Sequence, residues 1–317
     1  MYSVSMNSVS LIGAGVNNQN HVNALRQING IEISGICTRN LNTATDFKEL
    51  NEIKFATDNI DELYEKSKSK FLIISVPVDK TIEVAKKVLK YPWKILFEKP
   101  LGLNYSEALH LKDLLGSDQS KNFVGLNRRF YQINKEIFQL INTEKLPLKV
   151  NIYDCESLEV AKKSGHSKEV LDNWAYANSI HIIDLGRHYC GDAILSVKSK
   201  PVQINGELIS IKSEVVFNNG STINYFCNWK EFNSWKIEIY ADRFTAIINP
   251  LEKVKIIYNQ KEFTYNEAEY SPYNLCKPGY LNQAMYFTEK AEDKIFKLVS
   301  IEESLKTMDL IRQIYDF

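Results

Sequence analysis

Apolar and polar positions follow two different rhythms along this chain. Up to about residue 126, short apolar runs alternate with segments of helical periodicity. SVSLIGAG (8–15) is an apolar strand running into glycines, and VNNQNHVNALRQI (16–28) places Val22, Leu25 and Ile28 at helical spacing. IEISGICT (31–38) predicts a second strand and NTATDFKEL (42–50) a helix. DNIDELYEKS (58–67) predicts another helix, with Asp58 as its expected N-cap. FLIISV (71–76), closed by Pro77, is the continuous apolar run of a parallel strand covered on both faces. DKTIEVAKKVLK (79–90) predicts helix, WKILFEKP (93–100) strand, NYSEALHLKDLLG (104–116) helix and NFVGLN (122–127) strand. This order predicts an α/β fold with a parallel, doubly wound sheet and right-handed crossovers.

The rhythm changes after a helix expected at about 130–142. KVNIYD (149–154) and the runs spread over 202–265 repeat with period 2. Asn205-Gly206 and Asn218-Asn219-Gly220 are expected hairpin turns. The second half therefore predicts an α+β domain with a large, open, mostly antiparallel sheet, closed by helices at about 279–291 and 301–315. The expected domains are 1–126 and 127–317. Trp229, Trp235, Tyr225 and Phe226 lie in strands of this sheet. They fit either a face that pairs subunits into a homo-oligomer, since a large open sheet wants covering, or the core.

Composition narrows the function classes. The 317 residues carry 39 Lys plus Arg and 39 Asp plus Glu, so the net charge is zero. A nucleic-acid or membrane-surface binder needs a basic excess, so neither partner is expected. The five cysteines form no zinc or redox spacing, which points to a reduced, cytoplasmic setting. The N-terminus reads as no signal peptide, and no apolar run is long enough for a membrane span.

The chemistry begins at LIGAG, where Gly13 and Gly15 fill the first two positions of G-x-G-x-x-G after the first strand. The first glycine permits the tight turn, and the second lets backbone approach a pyrophosphate at the helix N-terminus. Asn18 holds the third position. Val16, Asn17 and Asn18 are the next candidate contacts, with Val76, Pro77, Glu98 and Lys99 at the ends of later strands. After the second strand stand Thr38, Arg39 and Asn40, with no carboxylate for a ribose diol. Arg39 makes NADP the preferred cofactor, with NAD the alternative. FEKPLG sets Lys99 at the ligand edge of the sheet, where it can hold a substrate oxygen and exchange a proton. Asn127 of VGLNRRF falls on the same edge.

GAG followed by His21, then FEKPLG, VGLNRRF and SIHIIDL, in that order and spacing, resembles the glucose-fructose oxidoreductase / inositol dehydrogenase (Gfo/Idh/MocA) family. YLNQAMYF (280–287) and SIEESLKTMDLI (300–311) are similar to its closing helices, so the resemblance covers nearly the whole chain. It implies an N-terminal Rossmann domain and an NAD(P)-dependent oxidoreductase acting on a hydroxyl or ketone of a sugar, nucleotide sugar or polyol. It implies that Lys99 is catalytic and that His181 joins it at the reacting oxygen. It also implies that Lys277 and Tyr280 lie near the substrate.

NWAYANSIHIIDLGRHYCGD (173–192) then reads as the start of an amphipathic helix with His181, Asp184 and His188 on one face. No metal pattern supports a metal site. Asp184 is expected to be structural and His188 too far along to join the reaction. Trp174 and Asn178 are candidate substrate contacts. Position 177 is Ala where family members usually carry Asp. That departure leaves two alternatives open. One is a cofactor-binding sensor or partner without turnover. The other is an enzyme that uses bound NAD transiently.

Overall fold

The computed structural model describes residues 7–117, 119–144, 147–191, 193–204, 207–230, 234–270 and 276–315. The chain runs β1 (Asn7–Ile12), α1 (Val16–Leu25), β2 (Ile31–Cys37), α2 (Leu41–Leu50), β3 (Ala56–Thr57), α3 (Ile60–Ser67), β4 (Phe71–Ile74), α4 (Thr81–Val88), β5 (Lys94–Phe97), α5 (Tyr105–Leu115) and β6 (Asn122–Val124). After α6 (Gln132–Glu144) come β7 (Lys149–Asp154), α7 (Leu158–Lys163), α8 (Lys168–Asp172) and α9 (Ile180–Cys190). Then follow β8 (Ile194–Ile204), β9 (Glu207–Phe217), β10 (Thr222–Asn228), β11 (Lys236–Tyr240), β12 (Phe244–Ile248), β13 (Lys253–Tyr258) and β14 (Lys261–Asn266). The chain closes with α10 (Glu267–Tyr270), α11 (Tyr280–Phe287), β15 (Val299–Ser300) and α12 (Ile301–Tyr315).

Two compact units result. The first comprises Met1–Gly102, Ser106–Phe130 and Tyr273–Ser304, and the second Leu103–Tyr105, Tyr131–Pro272 and Leu305–Phe317. The Phe130/Tyr131 division falls four residues past the boundary expected at 126. Unlike the expected sequential domains, though, the units are interleaved, because α11 and β15 return to the first unit.

The first unit's sheet has the order β15-β6-β5-β4-β1-β2-β3, all parallel except the β15–β6 pair. This is a Rossmann-type sheet. The chain winds outward from β1 through β2 and β3, then crosses to β4 on the other side of β1, so the strand order reverses between β1 and β4. That switch point is where an open parallel sheet offers a crevice at its strand ends. The core takes Val9, Leu11, Phe71, Ile73 and Leu96 from the strands and Val22 and Leu25 from α1; Tyr280, Ala284 and Phe287 of α11 complete it. α3 starts one residue later than expected. Asn59, rather than Asp58, caps it, its side-chain oxygen accepting from the amides of Asp61 (2.8 Å) and Glu62 (3.1 Å).

The second unit carries an eight-stranded sheet, β14-β13-β12-β11-β7-β10-β9-β8, antiparallel except where β7 pairs with β10. Along β10, Ile223, Tyr225 and Cys227 are buried, while Asn224 and Phe226 on the opposite face are half-buried. Tyr225 and Trp235 therefore belong to the core side, at 2% and 5% exposure. The opposite face carries a polar lattice: Asn224 donates to Asn151 (3.0 Å), and Asn151, Tyr153 and Tyr240 donate to Glu238. α9 lies close on β7; a Cβ at Gly186 would meet Ile152 Cδ1 at 2.4 Å. The turn at Gly220 has φ +83°, as the Asn-Asn-Gly step predicts, and Asn205-Gly206 lies outside the described residues. Among the described residues, no helix is long and apolar enough to cross a membrane.

Candidate active site

The turn after β1 is built from backbone. Gly13 has φ +99°, and a Cβ there would stand 2.0 Å from the Ser75 carbonyl oxygen, so no side chain fits. Its amide donates to the Cys37 carbonyl (2.9 Å), while the Ser75 amide donates to the Ile12 carbonyl (2.9 Å). Gly15 is the N-cap of α1, makes no side-chain cap bond, and has open space where a Cβ would be. The first-turn amides of α1 are thus left uncapped by side chains, with no acidic residue in that turn. An uncapped, acid-free helix N-terminus fits a pyrophosphate. Val16 is exposed and Asn17 half-buried beside it. Asn18 is fully buried, and its Nδ2 donates to the carbonyls of Ile12 (3.0 Å) and Gly13 (2.6 Å). The asparagine stands where a third glycine would, and it pins the turn from inside.

A cavity of about 640 Å³ opens beside this turn, lined among others by Gly13, Thr38, Arg39, Val76 and Pro77. Its size is ordinary for a small-molecule site. The sequence reading missed its other wall, which is charged: Asp58, Asp79, Lys80, Glu83 and Lys87. Asp58, released from capping α3, stands here. Lys80 pairs with Asp79 (3.1 Å) and Lys87 with Glu83 (2.8 Å). The hydrogen bond from Lys87 holds the Glu83 carboxyl below its usual range. Arg39, exposed at the end of β2, makes no ion pair among the described residues. Thr38 donates from Oγ1 to the Asn40 carbonyl (2.6 Å), and Asn40 caps α2, fixing the loop that carries Arg39. Cys37 also lines the cavity, but burial pushes its thiol up to about 12, so it serves as a neutral wall.

Two strands away, Glu98 and Lys99 directly follow β5, and the Lys99–Pro100 bond is cis. The Glu98 carboxylate is buried and turned inward to His21 Nε2 (2.8 Å) and the Lys99 amide (3.2 Å). Asn127 is buried, and its Nδ2 donates to the Pro278 carbonyl (3.0 Å), which ties it to the segment holding exposed Lys277 and buried Tyr280. The Tyr280 hydroxyl donates to Asn17 Oδ1 (3.5 Å). The first unit so gathers most of the sequence-predicted residues.

Trp174, Asn178 and His181 belong to the second unit. The helix expected to begin in 173–192 forms, but it opens with a π-helical turn over Ala175–Ser179 that runs directly into α9. Such turns recur at functional sites. Asn178 donates to Glu156, and Trp174 is buried against His166. His181 is 8% exposed, its ring 6.3 Å from that of Trp235. Asp184 is structural: Thr307 Oγ1 donates to it (2.6 Å) and accepts from Arg187 Nε (3.0 Å). His188 packs edge-on against Phe138. Beneath the π-turn lies a carboxylate the sequence reading missed. Asp154 is fully buried and accepts from Tyr225 (2.7 Å) and Trp235 (2.8 Å). Burial drives its carboxyl above the usual range, against the pull of those bonds. Among the described residues no group of three or more His, Cys, Asp or Glu is placed to hold a metal ion.

Comparison with known proteins agrees with this architecture. The chain is 21% identical over 281 residues to 4-carboxy-2-hydroxymuconate-6-semialdehyde dehydrogenase of a Sphingobium species, spanning 83% of this chain and 88% of that one. A dehydrogenase structure from Chromobacterium violaceum superposes with a TM-score of 0.80 at 16% identity, covering 99% of this chain and 95% of that one. UDP-N-acetylglucosamine 3-dehydrogenase from Acidithiobacillus ferrooxidans gives 0.75 at 16% identity, over 97% and 96%. At such identities the structural likeness is one of fold. Residues 8–126 match the model of the Gfo/Idh/MocA oxidoreductase family, described by its NAD-binding Rossmann fold.

Proposed function

We propose that this protein transfers a hydride between a nicotinamide cofactor and a hydroxyl or ketone of a sugar-like small molecule. The observation that carries the reading is the uncapped N-terminus of α1 behind a side-chain-free Gly13 turn, opening on a cavity at the switch point of the sheet. The first-turn amides of α1 would hold the pyrophosphate, and Thr38, Arg39 and Asp58 would meet the adenosine ribose. When bound, the cofactor supplies or accepts the hydride. Lys99 holds the reacting oxygen and exchanges its proton, and His181 assists that exchange. Asn127, Lys277, Tyr280, Trp174 and Asn178 are the proposed substrate contacts. The UDP-N-acetylglucosamine dehydrogenase of like fold supports a sugar or nucleotide sugar as substrate.

NADP is the proposed cofactor, because Arg39 lines the cavity and forms no ion pair among the described residues, while Lys80 and Lys87 each form one. Asp58 favours NAD as the second reading, since a carboxylate can accept from a ribose diol. Titration with NADPH and NADH, read by tryptophan-to-nicotinamide energy transfer, tests both. Saturable binding supports the function, and the tighter cofactor decides between Arg39 and Asp58. Absence of binding at millimolar concentration would remove the oxidoreductase reading. A sugar panel followed by nicotinamide absorbance then separates turnover from binding alone, the alternative that Ala177 raises.

A further inference from the structure

We propose that His21 is a positioning residue for Lys99, acting through Glu98; the inference rests on the reading of Lys99 as the proton-handling group. Glu98 is covalently next to Lys99, yet its carboxylate points into the protein and is 8% exposed. One oxygen lies 2.8 Å from His21 Nε2, and the other accepts the Lys99 amide proton at 3.2 Å. The carboxylate is also wedged against backbone, since a Cβ on Gly125 would stand 3.2 Å from its carbon and one oxygen. His21 is 1% exposed and is itself held. The Tyr280 ring meets it edge-on at 4.8 Å, and the Tyr280 hydroxyl reaches back to Asn17 in the first turn of the same helix.

A buried carboxylate is costly, and a buried pair adds less stability than an apolar pair of the same shape. What this pair supplies is geometry. The Lys99 amide is fixed on Glu98, Glu98 on His21, and His21 on α1, the helix whose N-terminus faces the cofactor cavity. The direction in which the Lys99 side chain leaves the backbone is thereby set by the element that would hold the pyrophosphate.

The test uses the full-length protein. Acetylation of lysines by acetic anhydride at mildly alkaline pH is followed by peptide mass spectrometry in wild type, His21→Leu and His21→Gln. Exposed Lys54 and Lys163 serve as internal references. Without the imidazole, the Glu98 carboxylate loses its inward partner and is expected to swing out and hydrogen-bond the Lys99 ammonium instead. Lys99 acetylation in His21→Leu is then expected to slow about threefold against the references. His21→Gln, whose amide N–H reaches the same oxygen, is expected to restore the wild-type rate. An unchanged rate in His21→Leu, or equal slowing in both variants, overturns the proposal. If circular dichroism shows that His21→Leu does not fold, His21→Asn, polar but too short to reach Glu98, takes its place with the same expectations. NADPH titration of the wild type is read separately, so the function and the role of His21 can each fail alone.

Discussion

Two buried carboxylates, Glu98 in the first unit and Asp154 in the second, are treated differently. In the first, Glu98 is met by an imidazole and a backbone amide, within a site otherwise shaped by main chain: a glycine turn, an uncapped helix end and strand termini. In the second, Asp154 is met by a phenol and an indole in the interior below the π-turn, and burial raises its pKa. The difference teaches that one acid is arranged to anchor a neighbouring main-chain amide. The other is arranged to take up a proton readily and hold aromatic rings in place.

The sharpest test of this contrast is kinetic. Lys99→Met is expected to lower turnover by about 10²- to 10⁴-fold, the span of a lost general acid or base, and His181→Asn by less. Equal losses would erase the proposed division of labour. Next is the glycine turn. Gly13→Ala forces φ +99° on a side chain that meets the Ser75 carbonyl, so thermal unfolding should show a loss of at least ~1–3 kcal/mol. Gly15→Ala, with open space around it, should keep its melting temperature and lose cofactor affinity alone. A stable Gly13→Ala would show that the turn is not backbone-limited. Arg39→Ala should weaken NADPH about tenfold, ~1.4 kcal/mol, and leave NADH nearly unchanged by isothermal titration. Equal losses would place Arg39 on a part common to both cofactors.

The smallest effect concerns Asp154. Its folded pKa is raised above the ordinary value of 3.8, so the native state binds the proton more tightly than the unfolded chain. That contribution is fully present below the unfolded pKa and is lost as pH rises through the folded one. Asp154→Asn carries no such proton. Asn can accept from Trp235 and donate to the Tyr225 oxygen, whose own proton turns to Tyr315, 2.6 Å away. The variant is expected to match or exceed wild type by ~1 kcal/mol at neutral pH, and its advantage should shrink on acidification. A variant less stable at neutral than at acid pH, relative to wild type, would show that the carboxylate is needed ionised.

How much of this was legible in the sequence follows from length and burial. β4 and β5 carry apolar runs, β1 and β2 shorter apolar stretches interrupted by polar residues, and all four were readable, as was the ligand edge they define. β3 has two residues, too few for any periodicity, so Asp58 at its end was read as a helix cap and not as a cavity wall. The α4 wall was hidden because its charges look like a solvated helix face until the crossover places them. Asn18 and Asp154 look like surface residues by type. Their burial is earned by partners distant in sequence or at main-chain carbonyls, which no local pattern reports. The π-turn was invisible because its residues also suit an α-helix.

The interleaving of the units bears on how the protein is made. Tyr280, Ala284 and Phe287 belong to the same apolar cluster as β1, β4 and α1, yet the ribosome delivers them only after the whole eight-stranded sheet. For an interval on the order of ten seconds, the nascent N-terminal portion carries an uncovered seam where α11 will dock. The first 130 residues on their own are an unfinished object rather than a small domain. Their solubility during synthesis depends on whatever shields that seam until α11 emerges.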